Sequence, residues 1–318
     1  MRRKIGESNE LPSKEVVSSI MQKIGFIGQG FIGKHMADDF EERGMIVVRY
    51  ALEEPYKNNR TALVDCDIVF VAVPTPTTPE GFDDSILRDA LKIPKPGAIV
   101  VIKSTILPGR TKALQDDFSD LILLHSPEFL REKHAAEDTA RPTRTIVGIP
   151  KQAPEYRAAA ESVLDVLPSS PHQLVCDSTE AELIKYGGNC FLAMKVVYMN
   201  MLYDIAAVHG IDYQVVAGAM AADPRIGDSH MQVLDSSGHH DARVGRGAGG
   251  HCFPKDFAAL REHYEAHIPD DAAGVAALRA LEFKNIDLLV GSGKDPDLLR
   301  AIYGKLDNVS CEEDEGGN

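Results

Sequence analysis

The chain has 318 residues, 44% hydrophobic and 26% charged, with 26 Gly and 18 Pro. That length suits about two domains of roughly 150 residues each, and the composition excludes a wholly disordered or fibrous chain. A formal charge of -14, from 48 acidic against 34 basic residues, repels a phosphate backbone and argues against nucleic acid as a partner.

Residues 1–22 read as a polar N-terminal extension whose basic start has no apolar stretch behind it. No uninterrupted apolar run reaches the ~18 to 20 residues that span a bilayer, so a cytoplasmic protein without membrane contact is expected. Order begins at Lys23. An apolar run, Ile24 to Ile27, leads into GQGFIG (Gly28, Gln29, Gly30, Phe31, Ile32, Gly33), then a helical pattern to Gly44 and a second strand, MIVVRY. This order is the context of a dinucleotide fingerprint: Gly28 makes the turn, Gly30 lets backbone approach a pyrophosphate, and Gly33 permits close helix packing. The acid that usually closes the second strand is absent, its place falling on Tyr50 or Ala51, with Glu53 and Glu54 slightly late. Arg49 and Arg60 lie near without forming a clear phosphate clamp, which favours NAD over NADP.

DIVFVAVPTP (67–76) and GAIVVIKST (97–105) read as buried parallel strands, with Thr75, Thr105 and HSPEFLRE (125–132) at the C-terminal ends where open α/β sheets place their sites. Strands near Thr145 to Val147 and Gln173 to Val175 precede a helix of about 30 residues, roughly 45 Å long. Thr179 and Glu182 have capping-box spacing, and Gly210 supplies the stop. Apolar residues recur at Leu183, Phe191, Met194, Val197, Met201 and Ile205, more than one small domain covers, so a homodimer through this helix is expected. Lys185 and Asn189, four apart, share one of its faces.

GRGAGGHCFPKDFAAL (245–260) places glycines before Cys252, as for backbone pressed against a ligand, and starts a helix at Lys255 and Asp256. A helix N-terminus and adjacent cations favour a thiolate. Cys66 and Cys190 fall in apolar patterns and read as packing residues; with Cys176, Cys252 and Cys311 they make five scattered cysteines, with no disulfide or zinc spacing. His230, His239, His240 and His251 surround a Gly-rich stretch without metal-ligand spacing; no metal is expected, only a mobile polar loop.

Taken in order, GQGFIG, VAVPTP, KSTILPG, SPEFLRE, AELIKYGGNCFLA, DPRIG and GGHCFPKD make residues 24 to about 285 resemble the UDP-glucose/GDP-mannose dehydrogenase family. The resemblance implies NAD-dependent oxidation of a sugar's primary alcohol to a carboxylic acid in two steps, with Cys252 capturing the aldehyde as a thiohemiacetal that becomes a thioester. It implies Lys185 and Asn189 as oxyanion donors, Asp256 and Thr105 as holders of a water, and Glu128 as a base. Glu128, Phe129, Leu130, Lys185, Asn189, Gly249 and Lys255 are then substrate contacts, and Arg225 an interface or substrate contact. The substrate class is a sugar or nucleotide sugar. The resemblance stops short of the family's C-terminal nucleotide-sugar-binding domain, which is expected to be lacking. The stretch between Tyr50 and Cys66 is short for the family, Ser126 stands where Asn is usual, and His251 where a small residue is usual, placed to lower the thiol pKa if protonated.

The expected fold is α/β: a Rossmann-like parallel sheet over 23–168, a mainly helical domain on the long helix over 169–308, and an acidic tail over 309–318. Three other readings fit parts of the pattern: a single-step β-hydroxyacid-type dehydrogenase, a shortened family member on a smaller hydroxymethyl substrate, and, outside catalysis, an NAD-binding regulator.

Overall fold

The computed structural model describes residues 22–239 and 242–305. The expected N-terminal extension up to residue 21, His240, Cys311 and the acidic tail lie outside the described residues.

Short β-rich apolar runs form a seven-stranded sheet in the order β2-β1-β3-β6-β7-β8-β9. The strands are β1 (Ile24–Ile27), β2 (Val47–Tyr50), β3 (Ile68–Val71), β6 (Ile99–Ile102), β7 (Ile122–His125), β8 (Thr145–Ile149) and β9 (Gln173–Asp177). Two-residue ladders add β4 (Thr77–Thr78) with β5 (Gly81–Phe82), and β10 (Asp235–Ser236) with β11 (Val244–Gly245). From β2 to β7 every pairing is parallel, so the order reverses beside β1, where doubly wound sheets open their ligand crevice. Both faces are buried. On one, Phe26 stacks on Phe70 and meets Phe40 edge-on, both at 5.2 Å between centroids; Phe40 belongs to α1 (Phe31–Glu42).

The sheet departs from the expected all-parallel arrangement at one joint. β7 and β8 are antiparallel and meet at His125 opposite Gly148, where β7 ends. The chain between them stays at the C-terminal edge and needs no crossover, so β8 and its parallel neighbour β9 extend the sheet past that edge. β9 carries the sheet beyond the expected limit at residue 168, and we place the division between the α/β and helical units at the start of α6 (Ser178–His209).

α6 has 32 residues, about 48 Å, and Gly210 ends it in the left-handed conformation (φ 62°) as expected. Its start differs from the expected cap. Asp177 is the N-cap, accepting from Thr179 N at 2.9 Å, while Glu180 Oε2 accepts from Asp177 N at 2.9 Å. Glu182 faces inward instead. Its carboxylate accepts from Gly109 N, Thr111 N and Thr111 Oγ1 at 2.5–2.6 Å, pinning the start of α3 (Arg110–Asp117) to α6.

By length and composition α6 could cross a membrane: an 18-residue window within Ser178–Val208 has a mean hydropathy of 1.4. Charges are sparse enough on the helix for its average to pass although no apolar run is uninterrupted. One face nevertheless packs on the protein, burying Glu182, Lys185 and Asn200. Shorter helices α2 (Ser85–Leu91), α4 (Ala135–Ala140) and α5 (Pro154–Val166) connect the strands before α6, and after it the chain continues through α7 (Tyr213–Ala221), α8 (Phe253–His267), α9 (Ala272–Ser292) and α10 (Pro296–Tyr303).

Burial pushes the Glu182 carboxyl up to about 7, although the hydrogen bonds from Thr111 and Gly109 pull it down. A carboxyl raised on folding holds its proton more tightly in the folded state, so its stabilising contribution is full below about 4.5 and is lost as pH rises through about 7. Urea unfolding of the wild type and Glu182→Gln between pH 4 and 8 should therefore show the wild type losing on the order of 3 kcal/mol relative to the variant as pH rises. Parallel curves would contradict this account.

Candidate active site

The turn after β1 is glycine for steric reasons. A Cβ on Gly28 (φ +90°) would overlap Ala72 O, and one on Gly33 would overlap Gly28 O, whereas a Cβ on Gly30 meets nothing within 4 Å. Gly30 is the N-cap of α1 and offers no side-chain cap, so the first N–H groups of the helix, those of Phe31, Ile32 and Gly33, have no intrahelical acceptor. Open space above bare N–H groups at a helix N-terminus fits a dinucleotide pyrophosphate. Gln29 donates to Gly28 O at 3.1 Å. Arg49 is buried and paired with Asp38 at 2.7 Å and Glu41 at 2.6 Å, so it is not free to clamp the extra phosphate of NADP. Thr75 Oγ1 donates to Thr105 O at 2.7 Å, joining the loops after β3 and β6 at the edge where both threonines were expected. Thr77 Oγ1 in the next loop donates to Lys255 O at 3.2 Å, reaching the start of α8.

There the sequence-predicted residues converge from three elements. Lys185, on the second turn of α6, is buried and donates to Glu128 O at 2.8 Å and to Glu128 Oε1 at 2.7 Å. Glu128 Oε2 accepts from Leu130 N at 2.6 Å, which folds the SPEFLRE loop back on itself. Burial works against the Lys185 charge, but Glu128 first, then Cys252 and Asp256, hold its pKa above the ordinary value. One turn along α6, Asn189 Nδ2 donates to Asp256 Oδ2 at 2.6 Å, and Lys255 Nζ pairs with Asp256 Oδ1. An ammonium has three donors and an amide nitrogen two, so Lys185 and Asn189 each keep one N–H after these bonds. Phe129 lies beneath Lys185 Nζ, 5.7 Å from its ring centre.

Cys252 is the N-cap of α8, which begins at Phe253, two residues before the expected start at Lys255, and its side chain is open to solvent. It is not a ready thiolate. Crowding by protein pushes the thiol up to about 11, reinforced by Asp256 and Glu128, while Lys185 and Lys255 pull it down. The expected cations are present, but two carboxylates and desolvation outweigh them. His251 is turned elsewhere: its ring lies 5.2 Å from that of His239, and its charge acts on Glu132.

The glycine run before Cys252 has a cause other than ligand approach. A Cβ on Gly249, an expected substrate contact, would overlap Asp295, Ser237 and Lys294, and one on Gly245 would come within 2.7 Å of Lys294 and Ser292. These glycines admit side chains from the end of α9. Arg225 is exposed and pairs with Asp223 at 2.6 Å. His230 packs on Phe253 at 5.7 Å between rings.

Lys103 was not singled out by sequence reasoning. It is buried at the end of β6, donates to Ser126 Oγ at 3.2 Å and Pro127 O at 3.4 Å, and burial lowers its pKa to about 8 against the pull of Glu128. A lysine closing the otherwise apolar run GAIVVI was its only local signal. With Glu128, Phe129 and Arg144 it lines a cavity of about 400 Å³ behind the SPEFLRE loop.

A doubly wound sheet with a bare phosphate turn, facing a cysteine, a lysine and an asparagine on helices, has the architecture of a dinucleotide-binding protein. The chain belongs to the UDP-glucose/GDP-mannose dehydrogenase family: residues 54–165 match its NAD binding domain and residues 179–277 its central domain. NAD is the cofactor that this matched unit assigns. Among curated relatives, UDP-glucose 6-dehydrogenase of Rhizobium meliloti is 32% identical over 65% of this chain and 48% of its own length. The enzyme of the same name from Pseudomonas aeruginosa is 32% identical over 77% of this chain and 52% of its own. The chain thus spans about half the length of these two relatives. A solved UDP-glucose dehydrogenase from Pyrobaculum islandicum superposes with a TM-score of 0.70 at 26% identity, covering 89% of this chain and 73% of that one. A 3-hydroxyisobutyrate dehydrogenase from Mycobacterium tuberculosis shares the fold, with a TM-score of 0.65 at 16% identity over 86% of this chain and 96% of that one.

Because Asp256 is the strongest charge raising the Cys252 thiol, Asp256→Asn should lower its pKa and enlarge the thiolate fraction. Iodoacetamide labelling of the Cys252 peptide at pH 8, followed by mass spectrometry, should speed up about threefold or more. An equal or slower rate contradicts the assignment.

Proposed function

We propose that this protein oxidises the primary alcohol of a nucleotide sugar, of the UDP-glucose type, to the carboxylate with two equivalents of NAD. The observation that carries the reading is the solvent-open Cys252 set among Lys185, Glu128 and Asp256. Bound NAD would lie on the Gly28 to Gly33 turn with Thr75 and Thr105 beyond it, and supplies the hydride acceptor for each two-electron step.

An aldehyde carbon gives up a hydride only after a nucleophile makes it tetrahedral. The Cys252 thiol does this by losing its proton and adding sulfur to the carbonyl carbon, forming a thiohemiacetal. After hydride loss the product is a thioester, and water cleaves the C–S bond to release the acid and regenerate the thiol. Lys185 and Asn189 are fixed on one rigid helix, and their remaining N–H groups suit the oxyanion that develops in these steps. Glu128 takes the proton from the attacking water, and Asp256 with Thr105 holds a water for proton transfer. Phe129, Leu130 and Lys255 border the substrate. A two-electron β-hydroxyacid oxidation is the second reading, favoured by the shared fold of the hydroxyisobutyrate enzyme; it has no use for the thiol.

We further propose a homodimer through α6, in the cytoplasm. Leu183, Phe191, Tyr198, Ile205 and Val208 are exposed along one side of the helix at close to heptad spacing, an apolar stripe that a second copy would cover. Cys66, Cys176, Cys190 and Cys252 are all free thiols, as suits a reducing compartment.

Two NADH per carboxylate are expected with the wild type. Cys252→Ala should stop acid formation by at least about a thousandfold while NAD still binds. One NADH per aldehyde would instead favour the two-electron reading, and full acid formation by the variant would contradict capture of the aldehyde by Cys252. Phe191→Glu should convert the dimer to a monomer in light scattering; a wild type already monomeric would contradict the proposed assembly.

A further inference from the structure

The segment that carries Cys252 is held by residues far along the chain, at and just after the end of α9. Asn285 grips Ala248 on both sides, accepting from its N at 2.7 Å and donating to its O at 3.0 Å. Ser292 Oγ accepts from Arg246 N at 2.8 Å, and Lys294 Nζ donates to Gly247 O at 3.0 Å. The last grip before the cysteine is Asp295, whose side chain is 1% exposed. Its Oδ2 accepts from Gly250 N at 2.7 Å and from Ser237 Oγ, and its Oδ1 pairs with His239 Nε2 at 2.9 Å.

Three further observations set Asp295 apart from an ordinary loop aspartate. Its backbone adopts the left-handed conformation (φ 51°), which costs a non-glycine residue energy that its surroundings must offset. Gly249 can be no larger because Asp295 occupies the Cβ position. Burial works against its charge, yet Ser237, Gly250 and His239 hold its pKa below the usual carboxylate range.

A cysteine has one rotatable bond between backbone and sulfur, so its staggered positions follow the backbone closely. Gly250 (φ +81°) is two residues from Cys252, and a displacement of about 1 Å at a reacting atom can cost about a hundredfold in rate. We propose that Asp295 is a positioning residue for Cys252: by binding Gly250 N, Ser237 and His239 together, it sets where the sulfur stands at the mouth of the cleft. The inference rests on the dehydrogenase reading for its kinetic consequence, though not for its structural one.

The test uses the full chain with Asp295→Ala, the conservative Asp295→Asn, and Ser237→Ala, which removes one donor and leaves the Gly250 bond. Amide exchange in a peptide spanning 246–253 should speed up about tenfold in Asp295→Ala and less in the other two. With UDP-glucose and NAD, kcat should fall about tenfold or more in Asp295→Ala while both KM values stay within twofold, and Asp295→Asn should recover much of the loss. Should Asp295→Ala fail to fold, graded exchange in Asp295→Asn and Ser237→Ala decides the matter. Unchanged exchange in the loop overturns the proposal, as does faster exchange throughout the chain with kcat and NAD affinity falling together. Loop-confined exchange in a protein that oxidises no nucleotide sugar supports the positioning role and counts against the dehydrogenase reading alone.

Discussion

Lys185 has almost no water around it, and its charge survives in the interior because Glu128 sits against it. An unpaired ammonium at that depth costs several kcal/mol, and removing one member of such a pair typically costs about 3–5 kcal/mol. The pair therefore fixes the distance between α6 and the loop after β7, and with it the site. Glu128 belongs to the sheet unit and Lys185 to the helical unit, so the cleft between them cannot widen without separating two buried charges.

The antiparallel joint at His125–Gly148 explains why that pair can form. A continued parallel sheet would send the chain back through a crossover and start α6 elsewhere. Here β8 and β9 stay at the C-terminal edge, and α6 leaves from the place where the dinucleotide turn, Thr75 and Thr105 also end. Glu182 then locks the first turn of α6 to α3, and Lys185 follows on the same inward face, one turn later. The helix thus presents Lys185 and Asn189 on its inner side and exposes Leu183, Phe191 and Ile205 on its outer side. His125, buried beside Lys103, is kept neutral by burial first and then by Lys103, which push its pKa down to about 3.

Local sterics made part of this plan legible in the sequence. Gly28 and Gly33 are demanded by atoms within the same βαβ unit, so GQGFIG in its strand and helix context carried its meaning with it. The i, i+4 spacing of Lys185 and Asn189 put them on one face, but of the apolar residues that recur along α6 only Leu183, Phe191, Met201 and Ile205 are exposed, while Val197 is buried and Met194 packs on the core beside α8. Long-range packing hid the rest. Both Asp177/Glu180 and Thr179/Glu182 offer three-residue cap spacing, and only the end of β9 and the pull of Gly109 and Thr111 on Glu182 decide between them. The glycines before Cys252 announced a close approach without saying to what; Asn285, Ser292 and Asp295 lie tens of residues away with no local pattern. Neighbouring cations suggested a lowered thiol pKa, but desolvation and Asp256 are properties of the folded cleft and reverse the sign.

In the proposed cycle the Cys252 thiol, pushed up to about 11 by burial and by Asp256, gives up its proton as it attacks, with Lys185 and the α8 N-terminus favouring the anion at that moment. Covalent capture by Cys252 is therefore the step on which the account stands. Acid quenching of the protein during turnover with UDP-glucose and NAD, followed by peptide mass spectrometry, reads that step directly. The account predicts a hydroxylamine-sensitive sugar adduct on the Cys252 peptide; acid production at the full rate with that peptide always unmodified would contradict it.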